Sequence, residues 1–178
     1  MSNINVIKRQ IREALMRLYG EDAFLFERNY GQGVGERCLT FRLAHYLQLQ
    51  FDSYHVDCDF NSSWEIIYDE KGVPIEIMER HGKIIPNPDG STTGRFVDII
   101  IHRRILGGSN DFLCFEIKKW NNCSSGNIAK DYNNLEVMTS QYGYKYGFHV
   151  IIGRDRENAR WSIFHGGQKI ADNELVFV

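Results

Sequence analysis

The spacing of apolar side chains along the chain predicts three helices. Over residues 5–18, apolar positions recur every three or four residues, which is typical of an amphipathic helix, and Gly20 is expected to end it. A second helix is predicted at about 36–47 and a third at roughly 127–139. The third helix is expected to turn three apolar side chains inward: Ile128, Leu135 and Met138.

Alternating or continuously apolar segments predict strands in most of the remaining chain. Residues 65–81 indicate a hairpin that turns at 70–72, and residues 95–102 and 111–120 indicate a second hairpin across a glycine-rich turn. The segment 84–93 contains two prolines and a glycine, so it is expected to be a loop. Single strands are predicted at 54–60, 146–153 and 160–165, followed by a short apolar tail at 175–178.

The order of these elements predicts an α/β fold, a mixed sheet with helices packed on it. The chain has 178 residues, of which 43% are hydrophobic and 25% charged, so one globular domain is expected. A net charge of −2 argues against a protein that coats nucleic acid by bulk charge. There is no apolar run that could span a bilayer and no pattern of a secretion signal, so we expect a cytoplasmic protein without membrane contact.

Two acidic residues inside apolar strands are the most unusual feature of the sequence. Asp98 precedes three isoleucines, and Glu116 lies between a phenylalanine and an isoleucine, where a buried carboxylate is costly unless a cation or several donors face it. Because side chains alternate along a strand, Glu116 and Lys118 share one face and their apolar neighbours share the core face. If the two strands pair, Asp98 lies beside Glu116, so two carboxylates and one ammonium converge at a sheet edge.

These groups are the ones that metal-assisted hydrolysis of a phosphodiester requires. Two carboxylates can bind one or two Mg²⁺ (or Mn²⁺) ions, and the metal polarises the phosphate and lowers the pKa of a bound water. Lys118 can orient or deprotonate that water, or offset charge on the phosphorane. A structural interpretation stays open, in which Asp98 and Glu116 form an ion pair with Lys118 or Arg95. Lys118 could also be an edge lysine with its ammonium in solvent.

The pattern of Asp98 followed by Glu116-Ile117-Lys118 resembles the D…(D/E)-x-K signature of the PD-(D/E)xK nuclease superfamily. The stretches ERCLTFRLAHYL, VDCDFN, VDIIIHRR and FEIKKW resemble small stand-alone bacterial proteins of this superfamily, over roughly residues 30–152. The resemblance implies a restriction-endonuclease-like core of order α-β-β-β-α-β and Mg²⁺-dependent cleavage of DNA. Val97 stands where the proline of the family name would be, and that proline shapes the strand without binding a ligand.

The resemblance also implies a further glutamate on a helix ahead of the core. Glu36 holds that position at the start of the second predicted helix, although the helix dipole alone also favours an acid there. The resemblance implies that the chain, 1–178, is one nuclease-like domain. It has an N-terminal helical extension at 1–30, the core at 31–155 and C-terminal strands at 156–178.

Charged residues near the motif are candidate contacts to nucleic acid or to a second ion. Arg103 follows the first motif strand and Lys130 lies in the third helix, and each could contact a phosphate or be ordinary exposed charge. Asp57 and Asp59 share a strand face and could ligate a second ion, although a solvated strand end explains them too.

Three other patterns are weaker. The glycine-rich segment 31–35 lacks the spacing of a phosphate-binding loop and is expected to be a flexible loop. Gln141 and the tyrosines after it could stack on bases or pack against one another. The four cysteines, Cys38, Cys58, Cys114 and Cys123, lack the spacing of a zinc site. The first three lie in apolar stretches, so we expect reduced, buried thiols there.

The sequence therefore predicts a small Mg²⁺-dependent nuclease that acts on DNA. Its candidate catalytic residues are Asp98, Glu116, Lys118 and Glu36. Two alternatives stay open, a non-catalytic nucleic-acid-binding or protein-interaction module on the same fold and a hydrolase of another phosphate ester. A homodimer or a protein partner could supply specificity, and the acidic segment 52–79 has no assigned role.

Overall fold

The helices lie where the apolar periodicity predicts them. The computed structural model describes residues 3–27, 34–60, 63–68, 71, 74–81, 84–86, 92–94, 97–103 and 111–178. Within these ranges the α-helices are α1 (Ile4–Glu21), α2 (Glu36–Gln50) and α3 (Ser125–Ser140). None of the helices in the described ranges combines the length and the apolar character that crossing a membrane requires.

The first helix was predicted to end at Gly20, but α1 continues one residue further, to Glu21. The next residue, Asp22, is buried, and its Oδ2 accepts hydrogen bonds from Arg42 Nε at 2.6 Å and from the Tyr46 hydroxyl at 2.8 Å. These two bonds fasten the end of α1 to α2, and a glycine in the last turn is tolerated there.

Ten strands complete the described structure. They are β1 (His55–Phe60), β2 (Ser63–Tyr68), β3 (Pro74–His81), β4 (Ile84–Pro86), β5 (Thr92–Gly94), β6 (Val97–His102), β7 (Asp111–Lys119), β8 (Tyr146–Ile152), β9 (Arg160–His165) and β10 (Gln168–Leu175). Six of them form one sheet in the order β1-β6-β7-β8-β9-β10, and β2-β3 and β4-β5 form separate ladders.

The large sheet is mixed, so the predicted α/β class is confirmed. β7 and β8 are parallel, and the other neighbours in this sheet are antiparallel. A parallel pair needs a crossover connection, and α3 supplies it between β7 and β8. The predicted hairpins β2-β3 and β6-β7 are also confirmed.

One prediction about an extended segment is wrong, and another is incomplete. The segment 84–93 is not simply a loop, because β4 and β5 pair across it, with Pro86 at the end of its strand where a missing N–H is tolerated. The C-terminal strand β10 lies within the predicted C-terminal strands at 156–178, but the pattern located only the strand at 160–165 and an apolar tail at 175–178, and it did not locate β10 itself. Its sequence is mostly polar and its register with β9 shifts twice, so it shows no clear alternation.

Apolar side chains cover both faces of the sheet. The side chains on the predicted core face of β7 are buried and pack with α1 and α2: Leu113, Phe115 and Ile117. On the opposite face, Leu135 and Met138 of α3 pack against Cys114. A Cβ at Gly147 of β8 would lie 3.1 Å from Leu135 Cδ2, so this glycine allows α3 to lie close to the sheet.

The strand register brings the acidic residues together. Ile99 of β6 pairs with Phe115 of β7, so Asp98, one residue earlier, lies opposite Glu116. On the other side of β7, His149 of β8 pairs with Glu116. The polar side chains therefore come from three adjacent strands.

We expect that Ile11→Ala will destabilise the whole protein by about 2–5 kcal/mol, because it leaves a cavity in the core shared by α1, α2 and the sheet. Ile11 is fully buried in that core. The measurement is urea unfolding followed by circular dichroism. Met16→Ala, at a position 47% exposed on the same helix, is the control and should change stability by less than about 0.5 kcal/mol. A mild effect of Ile11→Ala, similar to that of the control, would contradict this account of α1.

Candidate active site

Asp98 and Glu116 lie where β6 and β7 run side by side, and each is held by an amide donor. Asp98 is partly buried, and its Oδ2 accepts a hydrogen bond from the Ile117 backbone N–H at 2.7 Å. Glu116 is 4% exposed, and its Oε1 accepts one from Asn134 Nδ2 of α3 at 2.8 Å. Both carboxylates are therefore fixed in orientation, and each keeps further lone pairs for another ligand.

Lys118 is the cation of this group. Its Nζ lies 3.1 Å from Asp131 Oδ2 of α3 and 3.4 Å from Glu36 Oε1 of α2, and it donates to the Ile117 carbonyl at 3.2 Å. The side chain is 11% exposed, so its ammonium lies among carboxylates rather than in solvent. The two ion pairs connect β7 to both α2 and α3.

Glu36 joins the start of α2 to the end of β7. Its Oε2 accepts hydrogen bonds from the Lys119 backbone N–H at 2.9 Å and from Asn122 Nδ2 at 3.0 Å, while Oε1 faces Lys118. Glu36 is in the first turn of α2, where the helix dipole also favours an acid. The predicted glutamate is thus in the same group of side chains as Asp98 and Lys118.

The environment raises the pKa values of both strand carboxyl groups. For Glu116 the main cause is burial, followed by the negative charges of Asp98 and Asp131. For Asp98 the main cause is again burial, and it outweighs the Ile117 N–H and the charge of Lys118. Burial opposes the charged form of Lys118, but the charges of Asp131 and Glu36 outweigh it and raise the lysine pKa.

The residues around this point fit a hard divalent cation. Four carboxylates share one lysine, so the group carries an excess of negative charge in a region partly shielded from water. Within the described part of the chain, no three His, Cys, Asp or Glu side chains form a ready ligand set. A Mg²⁺ ion held by Asp98 and Glu116 would therefore complete its coordination with water or backbone oxygens, as this ion commonly does.

Asp131, Asn134 and His149 are members of the site that the sequence prediction missed. Asp131 is not among the predicted site residues, yet it is 5% exposed and lies on the same inward stripe of α3 as Leu135, four residues later. The rule that singled out Asp98, an acid among apolar positions, would have found it. His149 is 1% exposed, with Nε2 3.4 Å from Asp131 Oδ2.

Arg103 and Lys130 are both exposed and lie outside this group. Arg103 follows the far end of β6, about 17 Å along the strand from Asp98 at 3.3–3.4 Å per residue. Its guanidinium carbon is 5.0 Å from the ring centroid of Tyr54. Lys130 is exposed on α3 beside the buried Asp131. Contact of either residue with a phosphate remains a prediction.

The two aspartates of β1 have different partners. Asp57 Oδ2 lies 2.7 Å from His102 Nε2, and Asp59 Oδ2 lies 3.6 Å from Arg37 Nε. Asp59 adopts a positive φ of 51°. Its side chain lines a cleft together with Asp98, so Asp59 is the one of the two that borders the candidate site.

The structure also shows where the predicted cysteines and tyrosines lie. Cys38 is exposed, contrary to prediction, because it lies on the outer side of α2, whereas Cys114 is buried; Cys58 and Cys123 are partly buried. Tyr144 is buried, Tyr142 packs against the same cluster, and Tyr146 packs on the ring of His165. Arg95 and the glycines at 31 and 33 lie outside the described residues.

Comparison of the chain with protein-family models, with curated proteins and with solved structures gives no match.

We expect that Glu116→Gln will stabilise the metal-free protein at neutral and alkaline pH. A carboxyl whose pKa is raised by folding favours the folded state at low pH and loses that contribution as the pH rises through its folded-state pKa. The glutamine keeps an oxygen that accepts the hydrogen bond from Asn134 and carries no charge. The stability of the variant should therefore not fall as the pH rises through this range. The measurement is denaturant unfolding in EDTA across the pH range 5 to 8, a window that starts above the ordinary glutamate pKa of about 4.3.

Glu13→Gln, at an exposed position of α1, is the control and should follow the native pH profile. If the free energy of unfolding of Glu116→Gln depended on pH in the same way as that of the native protein, the electrostatic description of the site would be wrong.

Proposed function

We propose that this protein is a metal-dependent nuclease that hydrolyses phosphodiester bonds, with DNA as the expected substrate. The observation that carries the proposal is the convergence of Asp98, Glu116, Lys118 and Glu36, from β6, β7 and α2, on one partly open site. A pair of carboxylates beside a held ammonium is the equipment for cleaving a phosphodiester with a divalent cation.

The element order supports assignment to the PD-(D/E)xK nuclease superfamily. The order α2-β1-β6-β7-α3-β8 follows the α-β-β-β-α-β order of the restriction-endonuclease-like core, with β2 to β5 inserted between β1 and β6. The motif residues lie on the antiparallel pair β6-β7 of this order. In this assignment α1 and the strands β9 and β10 are additions that share the core and the sheet.

Asp98 and Glu116 are the residues that would hold Mg²⁺ or Mn²⁺. A cation bound there would polarise the scissile phosphate and lower the pKa of a bound water. The Ile117 N–H and the Asn134 amide orient the two carboxylates, so their free oxygen lone pairs face a fixed position. This preorganisation is what such a reaction needs, because negative charge builds up on the phosphate oxygens.

Lys118 supplies a positive charge to the same position. Its ion pairs with Glu36 and Asp131 keep it protonated, so it offsets charge on the phosphate rather than abstracting a proton from water. Asp131 acts through Lys118 and is a positioning residue, and Glu36 holds both the ammonium and the backbone at the end of β7.

The first test is cleavage of labelled DNA, as duplex, single strand and four-way junction, with Mg²⁺ or Mn²⁺. We expect the native chain to cleave at least one of these. Asp98→Asn and Lys118→Ala should each lose about 100-fold or more in rate, because each removes a group that stabilises the transition state. Asp98→Asn should also lose the rise in melting temperature that Mg²⁺ gives the native protein.

Lys8→Ala, on α1 and away from the site, is the matched lysine control and should cleave like the native chain. All variants are checked for folding by circular dichroism. If the native chain binds DNA without cleaving it, and Asp98→Asn and Lys118→Ala bind equally well, the nuclease proposal fails. A non-catalytic nucleic-acid-binding module then becomes the better description.

The role of Asp131 gives a separate prediction. Asp131→Asn removes the charge that holds Lys118 and keeps the size of the side chain, so kcat should fall roughly 10- to 100-fold with little change in KM. Steady-state cleavage kinetics measure this, with Glu136→Gln, exposed on the same helix, as the control. A purely structural role would instead lower the melting temperature and leave kcat of the folded fraction unchanged.

A further inference from the structure

An open cleft adjoins the candidate active site on the side of α2. Its volume is about 310 Å³, and its described lining residues are Glu36, Arg37, Thr40, Phe41, Asp59 and Asp98. Two of these, Glu36 and Asp98, belong to the site proposed for catalysis. The cleft therefore opens directly beside the position where the scissile phosphate would lie, and the proposed reaction gives its other lining residues no role.

Phe41 gives the cleft an aromatic wall. The side chain is 49% exposed, although phenylalanine is usually buried. It lies five residues after Glu36 on α2, about 7.5 Å along the helix axis at a rise of 1.5 Å per residue. Exposed aromatic rings beside a nucleic-acid path are the surfaces on which proteins stack unpaired bases.

The charges of the cleft determine which part of a nucleotide it can take. Asp59 and Asp98 line it, so a phosphate inside would be repelled. Arg37 is 78% exposed and lies 3.6 Å from Asp59, so it offsets part of the negative charge of that carboxylate. This arrangement favours an uncharged ring with N–H donors inside the cleft and a phosphate outside it.

The size of the cleft suits one base or nucleoside. Its volume is near the lower end of the range of roughly 300–1,000 Å³ for pockets that hold small molecules. A base in an intact duplex would have to be unpaired and turned out of the stack before entering, which costs a few kcal/mol. A single strand already offers its bases.

We propose that this cleft binds one unpaired nucleobase next to the scissile phosphate, stacked on Phe41. The proposal rests on the nuclease function and specifies its substrate class as DNA that is single-stranded where it is cut. Phe41 then determines specificity for unpaired DNA, and it is distinct from the carboxylates and the lysine that act on the phosphate.

The test is a binding measurement that does not require cleavage. Fluorescence anisotropy is recorded with a short fluorescein-labelled single strand and with the matching duplex, in Ca²⁺, and the DNA is checked on a gel for integrity. We expect the native chain to bind the single strand more tightly than the duplex. Phe41→Ala should weaken binding of the single strand by about 5- to 100-fold, the range for loss of one stacked base, and Phe41→Tyr should retain it.

Leu49→Ala is the matched control, because Leu49 is 50% exposed on the same helix, about two turns beyond Phe41. It should bind both DNAs like the native chain. Equal binding of the single strand by native protein, Phe41→Ala and Leu49→Ala would overturn the proposal, as would the absence of DNA binding by the native chain. A cleft that holds a cation would also overturn the proposal. In that case Asp59→Asn would abolish the Mg²⁺-induced rise in melting temperature, and Phe41→Ala would bind the single strand as tightly as the native chain does.

The nuclease proposal is tested independently of this result. Binding that depends on Phe41, without cleavage in Mg²⁺ or Mn²⁺, supports the base-binding cleft and rejects the catalytic role. Cleavage that depends on Lys118 but not on Phe41 supports the nuclease function and rejects the binding of a base in the cleft.

Discussion

The site depends on one buried ammonium that is surrounded by carboxylates. Lys118 holds Glu36 of α2 and Asp131 of α3 against the end of β7, so three elements meet through a single charge. As a device for stability this is a poor choice, since replacing a buried ion pair by apolar side chains is often neutral or stabilising. Breaking such a pair by removing one partner is costly, because the other charge remains buried. Under the proposed function, the excess of acids over lysines serves the metal-dependent reaction rather than folding.

The opposite face of the sheet supplies the rigidity that such a site requires. There the apolar side chains of β7 pack with α1 and α2, and the same strand presents Glu116 and Lys118 on its other face. A strand fixed by a close-packed core cannot shift without disturbing that core, so the spacing of its polar side chains is fixed as well. The alternation of one strand thus couples the hydrophobic core to the geometry of the site.

The motif residues could be predicted because an acid within an apolar strand segment is recognisable from the linear sequence alone. Asp98 and Glu116 stand out among isoleucines and phenylalanines, and the period of a strand then brings Lys118 to the same face. Asp131 gives the same signal, because it lies on the inward stripe of α3 four residues before Leu135. Asn134 and His149 gave no such signal, because their partners depend on how closely α3 approaches β8. That distance is set by tertiary packing at Gly147, which no local pattern encodes. The misread edge strands have the same cause, since β4, β5 and β10 are defined by pairing rather than by a hydrophobic period.

The excess of negative charge also constrains how a nucleic acid could reach the site. The chain carries a net charge of −2, so no overall field draws DNA toward it. Each phosphate brings a further negative charge to a place where carboxylates already outnumber the one lysine, and burial makes their repulsion stronger than it would be in water. Under the proposed function, a divalent cation and the nucleic acid must therefore favour each other's binding, because each lowers the cost of admitting the other, and this linkage is reciprocal. Attraction that involves no charge is then especially valuable, and an aromatic ring such as Phe41 at the edge of the acidic group can provide it.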